Sequence, residues 1–137
     1  MRTSARRSAT IRLVVVAALV DRGPLGHWAE SLLVGEPLAA PHLMPAEVAN
    51  VLRRAARAAE ISTDVASLAH DDLRSLRVEL FPYSLCADRV WELRSTVTAY
   101  DAWYVALAET LDATLATLDE KLSRAPGPRC KFVVPQG

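Results

Sequence analysis

Residues 98–121 read TAYDAWYVALAETLDATLATLDEK. Thr98 stands three residues before Asp101, the spacing at which a hydroxyl caps a helix N-terminus and an acid lies in the first turn. Apolar residues then recur at three- and four-residue steps and predict a helix, whereas residues 113–118 are apolar and rich in threonine, as buried strands are. Asp119 follows that strand directly and precedes a short helical pattern. Two acids therefore lie where predicted helices begin.

The remainder of the chain alternates short apolar runs with helical patterns. Strands that alternate with helices imply a parallel sheet with helices on both faces. We expect one α/β domain of three layers, with a short parallel sheet of roughly four to five strands and about six helices. The predicted strands are residues 37–41, 78–81, 113–118 and 131–134, and the predicted helices are residues 21–35, 44–60, 63–77, 85–94 and 120–124, with another helix from Thr98.

Residues 44–60 give the clearest helical pattern in the chain. Pro45 lies in the first turn, where a missing N–H group costs little. Glu47 lies in the same turn, so that Glu47, Asp101 and Asp119 are each assigned to a different strand–helix junction. In a parallel sheet all three acids would lie at the carboxyl-terminal edge, where open α/β sheets bind ligands.

Apolar residues at helical or strand spacing define the expected core. We predict almost complete burial for Val51, Leu52, Val105 and Leu115, and packing of the helix at 85–94 through Leu85, Val90 and Trp91. Most aromatic residues are expected in this core as well. Tyr100 is the best candidate for an exposed side chain on which a base could stack.

Two segments, residues 40–55 (APHLMPAEVANVLRRA) and residues 100–122 (YDAWYVALAETLDATLATLDEKL), resemble the PIN domain of VapC-type toxins. Those toxins are the ribonuclease halves of bacterial VapBC toxin–antitoxin pairs. The resemblance extends over about residues 13–135 and implies a PIN-like fold that hydrolyses RNA. It also implies that the catalytic, metal-binding acids are those at the matching positions, Glu47, Asp101 and Asp119.

Carboxylates gathered at one sheet edge repel one another unless a cation neutralises them. Mg²⁺ or Mn²⁺ suits such an all-oxygen site, and the metal can polarise a phosphodiester and supply hydroxide near neutral pH. The resemblance therefore implies a Mg²⁺-dependent endoribonuclease, with Thr117 as a supporting hydrogen-bonding residue. The residues alone leave a simpler reading open, because each acid could be only a helix cap or a partner of the helix dipole.

The resemblance further implies partners for this chain. One is a second copy, which gives a homodimer, and the other is a VapB-like antitoxin whose tail crosses the acidic cleft and presents an Arg to the carboxylates. RNA would be the substrate, and a basic track could contact its phosphates, although an ordinary solvated helix face has the same pattern. That track comprises Arg53, Arg54 and Arg57.

Composition excludes several classes of protein. Half of the residues are apolar and 23% are charged, which excludes a disordered chain. Sixteen basic residues balance sixteen acidic ones, but four of the basic residues precede residue 13, so the remainder is acidic and unsuited to coating nucleic acid nonspecifically. Cys86 and Cys130 are far apart and no histidine pair accompanies them, which predicts two buried, free thiols and no zinc site.

The N-terminal residues depart from the family's pattern. By pattern alone, the run LVVVAALV at residues 13–20 predicts a buried strand. The resemblance instead makes this run the helix after a first strand, which then falls on residues 7–11. The Asp that the family places at the end of that strand would fall on Ile11, and no acid is present there. We predict that residues 1–12 are atypical, either disordered or the product of a wrong start, a frameshift or decay, and that residues 13–137 form the PIN-like domain.

Two alternatives follow from the missing Asp. A ribonuclease without it should be impaired, by roughly a hundredfold or more. The chain could equally be a catalytically decayed PIN-like module that still dimerises and binds an antitoxin, and an unrelated α/β domain is a third reading. Neither export nor a membrane is expected, because the apolar run is short and ends at Asp21 without a cleavage site. A cytoplasmic protein is predicted.

Overall fold

The computed structural model describes residues 8–35 and 37–136, and within them five strands form one sheet in the order β3-β2-β1-β4-β5. Every pairing in this sheet is parallel, as the alternation of strands and helices predicts. The strands are β1 Ser8–Thr10, β2 Leu38–Pro41, β3 Val78–Phe81, β4 Thr114–Ala116 and β5 Phe132–Val133.

Seven α-helices connect and cover these strands in the described part of the chain. They are α1 Arg12–Val20, α2 Pro24–Leu33, α3 Met44–Arg57, α4 Thr63–Ser75, α5 Ala87–Glu92, α6 Ala99–Leu111 and α7 Glu120–Arg124, with a single 3₁₀ turn at Tyr83–Leu85. The same residues include no helix with the length and apolar character that a membrane crossing requires.

The buried apolar side chains form two clusters. Leu115 belongs to the larger cluster, with α3 and α6, whereas its neighbour Ala116 belongs to the smaller one, with α1 and α2. Successive residues of a strand point to opposite faces, so these two assignments place a hydrophobic layer on either side of β4. The α/β fold with helices on both faces is therefore confirmed.

The apolar run at residues 13–20 is helical, as the family resemblance implied, and the strand predicted from its pattern alone is wrong. Val14 packs in the smaller cluster and Val15 in the larger one, so the helix is buried on two sides. Burial on two sides removes the polar face that would have marked an amphipathic helix. Strand β1 precedes this helix and pairs with both β2 and β4 in the middle of the sheet. Residues 1–7 of the predicted atypical segment lie outside the described residues.

Some core predictions are confirmed and others are wrong. Leu52, Val105 and Leu115 are 3% exposed or less, but Val51 is only half-buried. The buried stripe of α3 runs at four-residue steps through Met44, Val48 and Leu52, and Val51 lies beside it.

Helix α5 packs less of its surface than predicted. It contains six residues, and Val90 is its one buried side chain. Leu85 and Trp91 are 48% and 66% exposed, so their predicted packing is wrong. Both cysteines are free thiols, as predicted, but only Cys86 is buried and Cys130 is half-buried.

Candidate active site

Two of the predicted acids lie in the first turns of helices near the carboxyl edge of the sheet. Glu47 is in the first turn of α3, which follows β2. Asp101 is in the first turn of α6, but α6 follows α5, so the prediction that Asp101 follows a strand is wrong. The hydroxyl of Thr98 accepts a hydrogen bond from the Asp101 backbone N–H at 3.2 Å, which confirms the predicted helix cap. This cap uses the backbone of Asp101 and leaves its carboxylate available.

Glu47 and Asp101 are joined by a third residue, Arg12. The Arg12 Nη2 donates a hydrogen bond to Asp101 Oδ1 at 3.1 Å, and Arg12 Nε lies 3.4 Å from Glu47 Oε2. The three side chains are 14–24% exposed, so water screens them only partly. The centre of this site is therefore a guanidinium group between two carboxylates.

Tyr104 forms the floor of the same site. Its side chain is 1% exposed, and its hydroxyl donates to Glu47 Oε1 at 3.0 Å. The guanidinium carbon of Arg12 lies 5.7 Å from the centre of the Tyr104 ring, within the range of a cation–π contact. Burial, together with the adjacent Glu47 carboxylate, raises the pKa of Tyr104, so its hydroxyl stays protonated and acts as a donor.

The charges of the site are unequally matched. Burial raises the pKa of Glu47, and the opposing effects of Arg12 and of the Tyr104 hydrogen bond do not fully offset it. Burial alone would lower the pKa of Arg12, but the attraction of Glu47 and Asp101 outweighs burial and raises it. Arg12 is therefore a permanent cation, while burial disfavours the charged form of Glu47.

Asp119 is occupied differently. Its Oδ1 accepts hydrogen bonds from the backbone N–H groups of Lys121 and Leu122 at 2.8 and 3.3 Å, which caps α7. Thr117 is fully buried, and its hydroxyl accepts from the Asp119 N–H at 3.0 Å. Thr117 therefore positions the loop that carries Asp119. The role of Asp119 in a shared site stays a prediction.

The acid pair, as it is arranged, does not fit a divalent metal. One carboxylate oxygen of each acid, Glu47 Oε2 and Asp101 Oδ1, contacts Arg12. Across residues 8–35 and 37–136, no cluster of three or more His, Cys, Asp or Glu side chains is arranged to hold a metal ion.

Comparisons with known proteins decide the family. The model of the PIN domain matches residues 14–128. The protein named Ribonuclease VapC1 of Mycobacterium tuberculosis is 43% identical over 119 residues, covering 86% of this chain and 90% of the relative. The VapC ribonuclease Mb0985 of Mycobacterium bovis is 37% identical, covering 87% and 91%. The chain is a PIN-domain protein of the VapC family.

A solved structure supports the fold of this PIN domain. The crystal structure of VapBC2 from Rickettsia felis, bound to a DNA fragment from its promoter, superposes with a TM-score of 0.68 at 16% identity. The match covers 95% of this chain and 99% of the other. At that identity the likeness shows the shared fold.

Arg12 is the site residue that the sequence reasoning missed. It is the first residue of α1, directly after Ile11, which ends the connection from β1 and is 5% exposed. A cation at a helix N-terminus opposes the helix dipole, but the pattern of residues 13–20 alone predicts a strand, so nothing in the sequence marked Arg12 as a site residue.

The predicted RNA-contacting side chains are accessible in this PIN domain. Tyr100 is 58% exposed at the start of α6. Three exposed arginines lie on the last two turns of α3, namely Arg53, Arg54 and Arg57. These positions are compatible with contact to an extended polyanion, and the contacts themselves stay a prediction.

Proposed function

We propose that this chain is the toxin of a VapBC-type pair and a ribonuclease whose activity is strongly impaired. The observation that carries the proposal is the meeting of Glu47 and Asp101 over the buried Tyr104 at one edge of the sheet. The relatives named as VapC ribonucleases support RNA as the substrate. The impairment follows from the residues after β1, where Ile11 supplies no carboxylate and Arg12 contacts both carboxylates of the pair.

The proposal assigns a role to each group around the acid pair. Arg53, Arg54 and Arg57 would hold phosphates of the RNA, and Tyr100 offers a ring on which a base can stack. A divalent ion, Mg²⁺ or Mn²⁺, is the cofactor that the family implies for Glu47, Asp101 and Asp119. We assign no step to that ion, because Arg12 stands between two of its three proposed ligands.

A second function is favoured by the same departure. A PIN-domain module without nuclease activity could still form a homodimer and bind a VapB-like antitoxin, because neither task needs the acid pair to be active. The R. felis relative is a VapBC assembly, which supports an antitoxin as the partner.

Cleavage of RNA by the purified chain separates the two functions. The decisive variant is Ile11→Asp combined with Arg12→Gln, which supplies an acid and removes the cation. Its matched control is Ile11→Asn with Arg12→Gln, which has the same shape without the new charge. We expect slow cleavage by the wild type, abolished by Asp101→Asn and by EDTA, and a gain of roughly a hundredfold in the acid variant over its control.

Each result of this assay has a distinct meaning. Cleavage by the acid variant with none by the wild type supports the decayed module. Cleavage by the wild type as fast as by the acid variant contradicts the impairment. No cleavage by any folded variant, with the fold checked by circular dichroism, contradicts the ribonuclease proposal.

A further inference from the structure

The position of Arg12 in its own helix is unfavourable. The N-terminus of a helix carries the positive end of its dipole, and a cation there is destabilised unless acids lie close by. Helix α1 has neither an acid in its first turn nor a side-chain cap. The acids that compensate Arg12 come instead from the first turns of α3 and α6. Arg12 is therefore held at the site by Glu47 and Asp101.

The same contact fills the space that a metal would need. A Mg²⁺ ion binds carboxylate oxygens at about 2.0–2.1 Å, so an ion shared by Glu47 Oε2 and Asp101 Oδ1 must lie between them. The guanidinium group of Arg12 already lies there, 3.4 and 3.1 Å from those two oxygens. The other Glu47 oxygen accepts from Tyr104. A divalent ion and Arg12 cannot occupy this position together.

Part of the guanidinium group of Arg12 is buried within the site. Its Nη1 is closed off from solvent and has no hydrogen-bond acceptor among the described residues. A buried donor without a partner is unfavourable, so the insertion is maintained by the charge of the two acids.

We propose that Arg12 is a built-in counter-ion that closes the Glu47–Asp101 pair to divalent cations. The guanidinium cancels one of the two carboxylate charges, and a divalent ion that enters beside Arg12 meets its positive charge at close range. Metal entry therefore requires Arg12 to leave. Because Arg12 is tethered to the same chain, it competes at a high effective concentration. This inference rests on the proposed function only in taking a divalent cation as the ligand.

Mn²⁺ binding to the full chain, measured by calorimetry without RNA, tests the counter-ion. Arg12→Gln removes the charge and keeps a hydrogen-bonding amide. Its matched control is Arg89→Gln, since Arg89 is 20% exposed against 24% for Arg12 and also pairs with two acids. We expect Arg12→Gln to bind Mn²⁺ at least tenfold more tightly than the wild type or Arg89→Gln. Adding Asp101→Asn should remove the gain, and Mn²⁺ should raise the melting temperature of Arg12→Gln alone.

Several results would overturn the counter-ion. Equal Mn²⁺ affinity in the wild type and Arg12→Gln would show that Arg12 does not exclude the ion. A gain that survives Asp101→Asn would place the ion elsewhere. If Arg12→Gln does not fold, Arg12→Met takes its place, and equal Mn²⁺ affinity in the wild type and Arg12→Met contradicts the proposal.

The assay also separates this inference from the ribonuclease proposal. A gain of Mn²⁺ binding without RNA cleavage by any variant leaves the counter-ion standing and removes the ribonuclease. If the wild type cleaves RNA and binds Mn²⁺ as tightly as Arg12→Gln, the ribonuclease proposal stands and the counter-ion is excluded.

Discussion

In the described part of the chain, Arg12 and Arg89 each contact two acids. The exposed fractions of their side chains are similar, at 24% for Arg12 and 20% for Arg89. Arg89 donates to Glu109 through Nε at 2.7 Å and through Nη2 at 3.2 Å, and also to the Gly127 carbonyl at 2.8 Å and to Glu92 at 3.2 Å. With its neighbours in the described part of the chain, Arg12 makes one side-chain hydrogen bond, to Asp101, and one longer contact, to Glu47. Arg89 has a partner on all three nitrogens, whereas one nitrogen of Arg12 has none among the described residues.

This difference in hydrogen bonding appears in the acids as well. Burial alone would raise the pKa of Glu109, but the hydrogen bonds from Arg89 and from the Arg129 backbone outweigh burial and lower it. At the other site burial prevails, and the pKa of Glu47 is raised. A partly buried ion pair stabilises its carboxylate when hydrogen bonds replace the lost water, and charge alone does not replace that water. We therefore call Arg89 a clasp, because its hydrogen bonds stabilise its two acids in the folded protein, and Arg12 an exchangeable occupant, because we infer that it can leave its site.

The largest effect is expected from removing the clasp. Arg89→Met keeps most of the side-chain length but leaves Glu109, Glu92 and the Gly127 carbonyl without their donor. Removing one partner of a partly buried pair should cost about 2–3 kcal/mol of unfolding free energy, measured by urea denaturation. Arg94→Met is the control, because Arg94 lies on the surface against Trp91 and should cost less than about 0.5 kcal/mol.

Arg12→Met tests how much Arg12 contributes to the free energy of unfolding. It should cost less than Arg89→Met, because Arg12 makes fewer hydrogen bonds and Glu47 can take up a proton. Equal losses from the two methionine variants would show that the clasp and the occupant are not distinct.

A smaller effect is expected from Glu109→Gln, which removes the charge but keeps an acceptor for the Arg129 N–H. The loss of unfolding free energy at neutral pH should be about 1.5–2 kcal/mol, the lower part of the range for hydrogen bonds to charged groups. The folded state lowers the pKa of Glu109 below its ordinary value of 4.5, so its contribution is present above about that pH and is lost as the pH falls through the folded value.

Urea denaturation between pH 7 and pH 3 measures this dependence. The difference in unfolding free energy between the wild type and Glu109→Gln should become smaller as the pH falls. Glu47→Gln should show no such narrowing, because the pKa of Glu47 is shifted in the opposite direction. A constant gap for Glu109→Gln would mean that Arg89 is held by geometry and not by the charge of Glu109.

The sequence allowed most of the fold to be predicted, because its signals are local. β3 and α7 have the bounds that their apolar run and their capping Asp119 indicate, and the hydroxyl of Thr98 caps α6 as its spacing predicts. Val51 was misplaced because periodicity locates a stripe only to within one residue position. Residues 13–20 needed the family resemblance, since their burial on two sides erases the helical period.

The centre of the site could not be predicted in the same way. Arg12 and Asp101 are 89 positions apart, and their contact exists only because β1 enters the middle of the sheet. The N-terminal pattern is a poor strand by composition, so nothing local places Arg12 beside the acids. The acids were proposed through the family resemblance, because a first-turn carboxylate alone is equally explained as a helix cap or a partner of the helix dipole.

The smallest expected effect belongs to Tyr104→Phe and tests whether the occupant site is as weakly bonded as the comparison requires. The substitution keeps the buried ring beneath Arg12 and removes the hydroxyl that donates to Glu47 Oε1. If this site were a cooperative network like that of Arg89, losing the donor would disturb Glu47, Arg12 and Asp101 together. The loss of unfolding free energy would then exceed that of one hydrogen bond. For an exchangeable site we expect the ordinary loss for one hydrogen bond, about 1 kcal/mol by urea denaturation. The losses of unfolding free energy from Tyr104→Phe and Arg12→Met should then be close to additive in the double variant. A coupling energy well above about 1 kcal/mol in this double-mutant cycle would instead show a cooperative hydrogen-bond network like that of Arg89, and Arg12 would not be an exchangeable occupant.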